Sequence, residues 1–243
     1  MNDPHIAEYH DFSFDESFSG IPYPPWIGKQ YNGATSRILI IAESVYDSDP
    51  GSSVTKDSLQ KATFVRHCVR EIGLHFTMDC PWKGSETQKL YRGVERLVWN
   101  EKLVTDEQKL KLWTTVAFHE LVQRPMECKK ARPDAHDLKH GTVILAKLLK
   151  ILSPNLCIFL GTDKRKLNAL EEVFVTRAEW SNQKLNGAYP KTISLASCGL
   201  DCKIVMVKHP SQRFSSNLWS NYLEENARSA ISSFRDSRTA RPS

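Results

Sequence analysis

Residues 203–214 read KIVMVKHPSQRF, and the rest of the chain is best approached from this stretch. Ile204–Val207 is a short apolar run that stops at Lys208 and delivers His209-Pro210-Ser211 at its end. In an open α/β sheet, ligands sit outside the carboxyl ends of the strands, in the crevice formed by the following loops. A His placed there can donate a hydrogen bond to a departing group or accept a proton. Pro210 fixes the backbone after it, and Ser211 can cap the next element of the chain. The same residues also read as a strand, a turn and a surface His. The choice rests on what ends the other strands.

Three further runs have strand character: Arg37–Ala42 (RILIIA), Trp113–Phe118 (WTTVAF) and Leu156–Leu160 (LCIFL), the last followed by Gly161. Short continuous apolar or β-branched runs suit strands buried on both faces. Helical patterns lie between them. Residues 57–73 carry Leu59, Ala62, Val65 and Val69 with Gly73 as the stop, and 76–112 reads as mostly helical. Asp134 can cap a helix over 135–152, and helices are expected over 163–175 and 218–234. Residues 177–202 read as irregular. This alternation predicts an α/β fold, a three-layer αβα sandwich around a central, mostly parallel four-stranded sheet.

Before the first strand, residues 1–35 hold Phe12, Phe14 and Phe18 and then IPYPPWIGKQYNG. Three Pro and one Gly between 21 and 28 exclude a regular helix or central strand there. They read as an extended N-terminal arm held down by Tyr23, Trp26 and Tyr31, with the α/β domain over 36–234 and a polar, mobile tail over 235–243.

A chain of 243 residues with 40% apolar side chains suits one sizeable domain. It has no apolar run long enough to span a membrane, and its start, MNDPHIAEYHDF, lacks the order of a secretory signal. Six Cys without a CxxC fit reduced thiols in a cytoplasmic protein, with Cys157 inside a buried strand. The net charge of +5 permits nucleic acid as a partner without demanding it. Local basic clusters, Arg124–Arg132 (RPMECKKAR) and 163–166 (DKRK), read as a phosphate track or as solvated faces.

The strand exits are informative together. Strand one ends in Ala42-Glu43-Ser44-Val45-Tyr46-Asp47, where a carboxylate can orient water or stabilise positive charge, or simply begin a loop. Strand two ends at His119-Glu120, and strand three at Gly161-Thr162-Asp163, which permits close backbone approach or a helix start. An acid and two His would converge on one crevice.

With IIAES, VAFHELVQRP, LCIFLGT and VMVKHPSQRF in this order, roughly residues 36–225 resemble the uracil-DNA glycosylase superfamily. The resemblance implies a DNA glycosylase that flips a modified base and hydrolyses its N-glycosidic bond, with DNA as partner. It assigns Glu43 to placing water and supporting the oxocarbenium-like sugar, and His209 of the HPS motif to stabilising the departing base. Tyr46 matches the Tyr that screens out the thymine methyl, and Ser44 stands where other members carry Asp. Ser211 lies beside His209, and Phe64 is a stacking platform or a core residue. Gln212, Arg213 and Phe214 fall on the loop that wedges into DNA, and Arg124, Lys129, Lys130 and Arg132 can hold backbone phosphates.

The chain departs from the family pattern in several places. Ala42 and Val45 replace the motif Gly and Pro. His119 replaces the Asn that reads uracil, and a neutral ring offers donor and acceptor on opposite sides, so the base need not be uracil. The paired N-terminal Cys of the iron–sulfur branches are missing, so no cluster, metal or other cofactor is expected. A non-catalytic module holding a base or nucleotide on the same fold is the alternative. His119 and Ser44 favour that module, whereas Glu43 and His209 favour the enzyme.

Overall fold

The computed structural model describes residues 4–46, 62–74, 86–128, 131–211 and 213–237. Seven strands form one mixed sheet: β1 (Trp26–Ile27), β2 (Ile38–Ala42), β3 (Ala117–Glu120), β4 (Leu156–Leu160), β5 (Glu179–Trp180), β6 (Lys191–Ser194) and β7 (Lys203–Val207). Their spatial order is β1-β3-β2-β4-β7-β6-β5. The central four, β3-β2-β4-β7, are mutually parallel, as the apolar runs predict. The sheet is larger than four strands because short antiparallel strands extend both edges.

Alternation along each strand divides two cores. Ile38, Ile40, Phe118, Ile158 and Val205 face one side, and Leu39, Ile41, Phe159 and Met206 face the other. The first face is covered by α2 (Phe64–Cys68, running into a π-helical turn, Val69–Gly73), α3 (Glu86–Trp99), α4 (Asp106–Thr115) and α7 (Ser216–Asp236). The second face is covered by α5 (Ala135–Leu152) and α6 (Lys164–Val173). A short α1 (Pro4–Ala7) opens the described chain. No helix among the described residues is long and apolar enough to cross a membrane.

Several elements differ from the sequence reading. The WTTVAF run is divided: Trp113, Thr114 and Thr115 finish α4, and β3 begins only at Ala117. A reciprocal cap between Thr105 and Gln108 starts that helix, and near its end the Thr114 hydroxyl donates back to Leu110 O at 2.7 Å. Residues 177–202 are not wholly irregular, since β6 pairs with β7 and β5 with β6. The N-terminal segment is packed down as expected, with Tyr23, Trp26 and Tyr31 buried. It is less extended than expected: Asp11 caps a 3-10 helix over Phe12–Phe18, and Trp26–Ile27 joins the sheet edge antiparallel to β3. At the other end α7 runs past 234 to Asp236, where Arg235 donates to Val98 O at 2.7 Å, while 238–243 lie outside the described residues.

The connections fix where a site can form. The chain leaving β2 crosses the first face, and the chain leaving β4, its neighbour, turns onto the second face as α6. Adjacent loops that depart in opposite directions open a crevice at the strand ends.

Candidate functional site

Glu43 stands in that crevice, one residue beyond β2. Its backbone is held by an extension of the β2–β3 ladder: Leu121 N donates to Ala42 O (3.0 Å), Val122 N to Glu43 O (2.9 Å) and Met126 N to Val45 O (2.8 Å). Ala42 and Val45 are thus part of a zippered segment. The Glu43 carboxylate is engaged at both oxygens. Tyr46 Oη donates to Oε1 at 2.7 Å, and Lys166 Nζ from α6 pairs with Oε2. The Lys166 and Glu43 side chains are 5% and 17% exposed. Lys166 reaches over Gly161, where a Cβ would come within 2.5 Å of Nζ, so the glycine after β4 leaves room for the ammonium. Burial pushes the Glu43 carboxyl up, but the charge and hydrogen bond of Lys166, the Tyr46 hydroxyl and the nearby His209 together hold it below its ordinary value. The site therefore keeps an ionised carboxylate at neutral pH.

His209, half-buried, follows β7. Pro210 packs so tightly on α3 that a Cβ on Gly93 would meet Pro210 Cβ at 2.3 Å. The loop is propped from the other side, where Lys208 Nζ donates to Asn186 O (2.8 Å) and Ser215 N to Asn186 Oδ1 (3.1 Å). Ser211 N donates to His209 Nδ1 at 3.3 Å, and Ser211 Oγ lies 2.9 Å from the same nitrogen. Since a backbone N–H can only donate, Nδ1 is the acceptor, and the neutral ring carries its proton on Nε2. Ser211 thus engages the ring through both its backbone N–H and its hydroxyl.

Two residues that sequence reasoning did not single out complete the cluster. Lys166 sits inside the charged run DKRK, which reads as a phosphate track or a solvated face. Glu120 ends β3 in register with Ala42, is only 6% exposed, and has an Oε2 without a hydrogen-bond partner among the described residues. Period-two alternation from the core residue Phe118 is the signal that could have found it. Burial pushes its carboxyl up to about 8, with the Glu43 charge adding to the rise and Lys166 opposing it. At neutral pH Glu43 is thus ionised and Glu120 protonated.

Other predicted residues are placed differently. His119 is fully buried on the face of β3 opposite Glu120, its Nε2 3.3 Å from Gln123 Nε2, and burial pushes its ring down to about 3, leaving it neutral. Tyr46 spends its hydroxyl on Glu43 and receives Arg132 Nη1 at 3.2 Å, while the half-buried Ser44 sits beside it. Phe64, at the start of α2, and Phe214 are partly buried against the first core, which makes Phe214 an anchor of its loop. Arg124 is half exposed but clamped to Asp137 by two 2.7 Å bonds. Arg132 and Arg213 are exposed, and Arg213 adopts a positive φ of 39°. Lys129, Lys130 and Gln212 lie outside the described residues.

A surface concavity of about 610 Å³, lined by Asn168, Glu171, Glu172, Val175, Thr176 and Arg177, lies around the C-terminal half of α6. A helix following a parallel strand runs back along it, so this hollow belongs to the opposite end of the sheet from Glu43 and His209. Compared with protein-family models and with curated proteins, the chain matches none.

Proposed function

We propose that this chain is a monofunctional DNA glycosylase of the uracil-DNA glycosylase type, acting on a flipped, modified base that need not be uracil. The observation that carries the reading is the pairing, at one set of strand exits, of an ionised Glu43 with a His209 whose proton faces away from Ser211 on Nε2. Hydrolysis breaks the C1′–N bond, and positive charge develops on the sugar while negative charge develops on the base. Glu43 offsets the first and orients the water whose oxygen bonds to C1′; His209 donates Nε2–H to the second. The proton released by the water is matched by the proton taken up by the base. In this reading the exposed Arg132 and Arg213 meet backbone phosphates.

One observation favours the binding-module alternative: both Glu43 oxygens already have partners, and Lys166 neutralises the charge. The deciding assay is base release from single- and double-stranded oligonucleotides carrying uracil, hypoxanthine, xanthine or oxidised bases, with abasic sites revealed by alkali. Release that vanishes in Glu43→Gln, with DNA affinity nearly unchanged, is the expected result. Folded protein that binds these DNAs and releases no base would establish the binder instead.

A further inference from the structure

The hairpin that carries β5 into β6 has no part in the scheme above. Asn186 and Gly187 turn it, with φ of 49° and 81°, and backbone bonds of 2.8 and 3.0 Å between Leu185 and Ala188 close the turn. Lys191 stands in register with Met206, the last residue but one of β7, and Trp180 in register with Lys191. The chain between Trp180 and Lys191 therefore projects past the strand ends, at the crevice end of the sheet. Two lysines fix it there. Lys208 Nζ, just before His209, donates to Asn186 O (2.8 Å), and Lys191 Nζ donates to Thr162 O (2.7 Å), next to Gly161.

Two aromatic rings ride on this hairpin. Trp180 is 48% exposed and Tyr189 41%, and they are the aromatic members of the large exposed hydrophobic side chains among the described residues. Neither ring packs into either core, whereas Trp26, Trp99, Trp113 and Trp219 all pack into the first. Each exposed ring carries a lysine: Lys191 Nζ is 4.6 Å from the Trp180 centroid, and Lys184 Nζ is 5.3 Å from that of Tyr189. These ammonium groups hold the rings in place and set positive charge beside them. Glu179, the hairpin's acidic residue, alternates to the other side of β5, where the Thr192 hydroxyl donates to it at 3.4 Å.

We propose that Trp180 and Tyr189 form a stacking platform for unpaired bases of a single DNA strand whose target base enters the crevice. The proposal rests on the glycosylase reading of the strand exits and adds to it a preferred form of substrate. Every base offers a π-face to an exposed ring, and the phosphate that follows it offers a counter-charge to a neighbouring ammonium. A strand of nucleotides thus uses both features of the hairpin at once. Within a duplex those base faces are already covered by their neighbours, so the platform favours single strands.

The test is a binding titration with the full chain at fixed salt, read by fluorescence anisotropy. The probes are a labelled thymidine oligomer of about twelve nucleotides, the same oligomer with abasic spacers in place of its bases, and its duplex with the complementary strand. Wild type should bind the single strand at least about fivefold more tightly than either of the others. Trp180→Ala and Tyr189→Ala should each lose at least about fivefold on the single strand and little on the abasic one, while Trp180→Phe keeps most of the affinity. Thermal melts of the variants should stay close to wild type, because both side chains lie outside the cores.

Equal binding of normal and abasic strands by wild type overturns the proposal without any variant. So does a preference for duplex, full affinity in both alanine variants, or folded protein that binds none of the probes. A Trp180→Ala loss that is equal on normal and abasic strands makes the ring a structural prop and also overturns it. The catalytic reading fails separately: stacking-dependent strand binding without base release from any oligonucleotide sinks the glycosylase and keeps the platform. Release that depends on Glu43 but is the same in Trp180→Ala and Tyr189→Ala, on single strands as on duplex, does the reverse.

Discussion

Replacing Lys166 with Met removes the ammonium that faces Glu43 and keeps most of the stem that packs beneath it. Removing one partner of a buried pair typically costs about 3–5 kcal/mol, because the other charge is stranded. Glu43 is 17% exposed, and it has an escape the general case ignores, since it can take a proton. Bringing a carboxyl of ordinary pKa near 4.3 to its neutral form costs about 3.7 kcal/mol at pH 7 and about 1 kcal/mol at pH 5, at about 1.36 kcal/mol per unit. Protonation thus caps the penalty, and the cap falls with pH.

In the wild type the depressed Glu43 contributes stability that is present above its unfolded value and lost as pH falls through its folded one, so the carboxylate is ionised at both pH values. Glu120 adds little to the difference, being already protonated below about pH 7. Urea unfolding should therefore show Lys166→Met destabilised by about 2–4 kcal/mol at pH 7, with the loss shrinking by about 1–3 kcal/mol at pH 5. The double variant Lys166→Met/Glu43→Gln should recover part of the loss. An equal loss at both pH values, or a double variant that simply sums the two singles, would falsify the claim that the ion pair holds this crevice.

Two further substitutions probe the frame around the site. Gly93→Ala places a methyl 2.3 Å from Pro210 Cβ, so α3 and the HPS loop must separate. It should cost about 1–3 kcal/mol in chemical denaturation and weaken base release or base binding, and wild-type function would show that the loop tolerates movement. Asp134→Ala removes the oxygen that accepts from Asp137 N at 2.8 Å, and should lower stability by about 1 kcal/mol while leaving ligand binding intact.

How much the chain discloses in one dimension depends on how far apart the interacting partners are. The helix over 135–152 is legible because its cap, its apolar stripe and its stop at Ser153, which takes φ 44°, are neighbours in sequence. The four parallel strands are legible for the same reason. The division of WTTVAF is not, because Trp113 is claimed for α4 by packing and by a 3.0 Å bond from its indole N–H to Glu95, eighteen residues away. β6 is hidden likewise, since its backbone is satisfied by β7 on one side and β5 on the other, neither of which its own residues announce.

The site shows the same division at finer scale. Glu43 and His209 are visible as the residues that end apolar runs, and Ser211 is visible beside His209. Lys166 is invisible within DKRK, where four consecutive charged residues look alike until topology selects one. That selection is physical. The chain leaves β2 toward one face of the sheet and leaves β4 toward the other, so the first turn of α6 is the element that borders the crevice on Glu43's side. Asp163 caps that turn and Arg165 bonds back to Asp163 and out to Pro133 O, which leaves Lys166 as the residue turned over Gly161. A carboxylate beyond β2 in this topology will find a cation from α6, and that cation decides whether Glu43 acts as a charge toward a ligand or is spent within the protein.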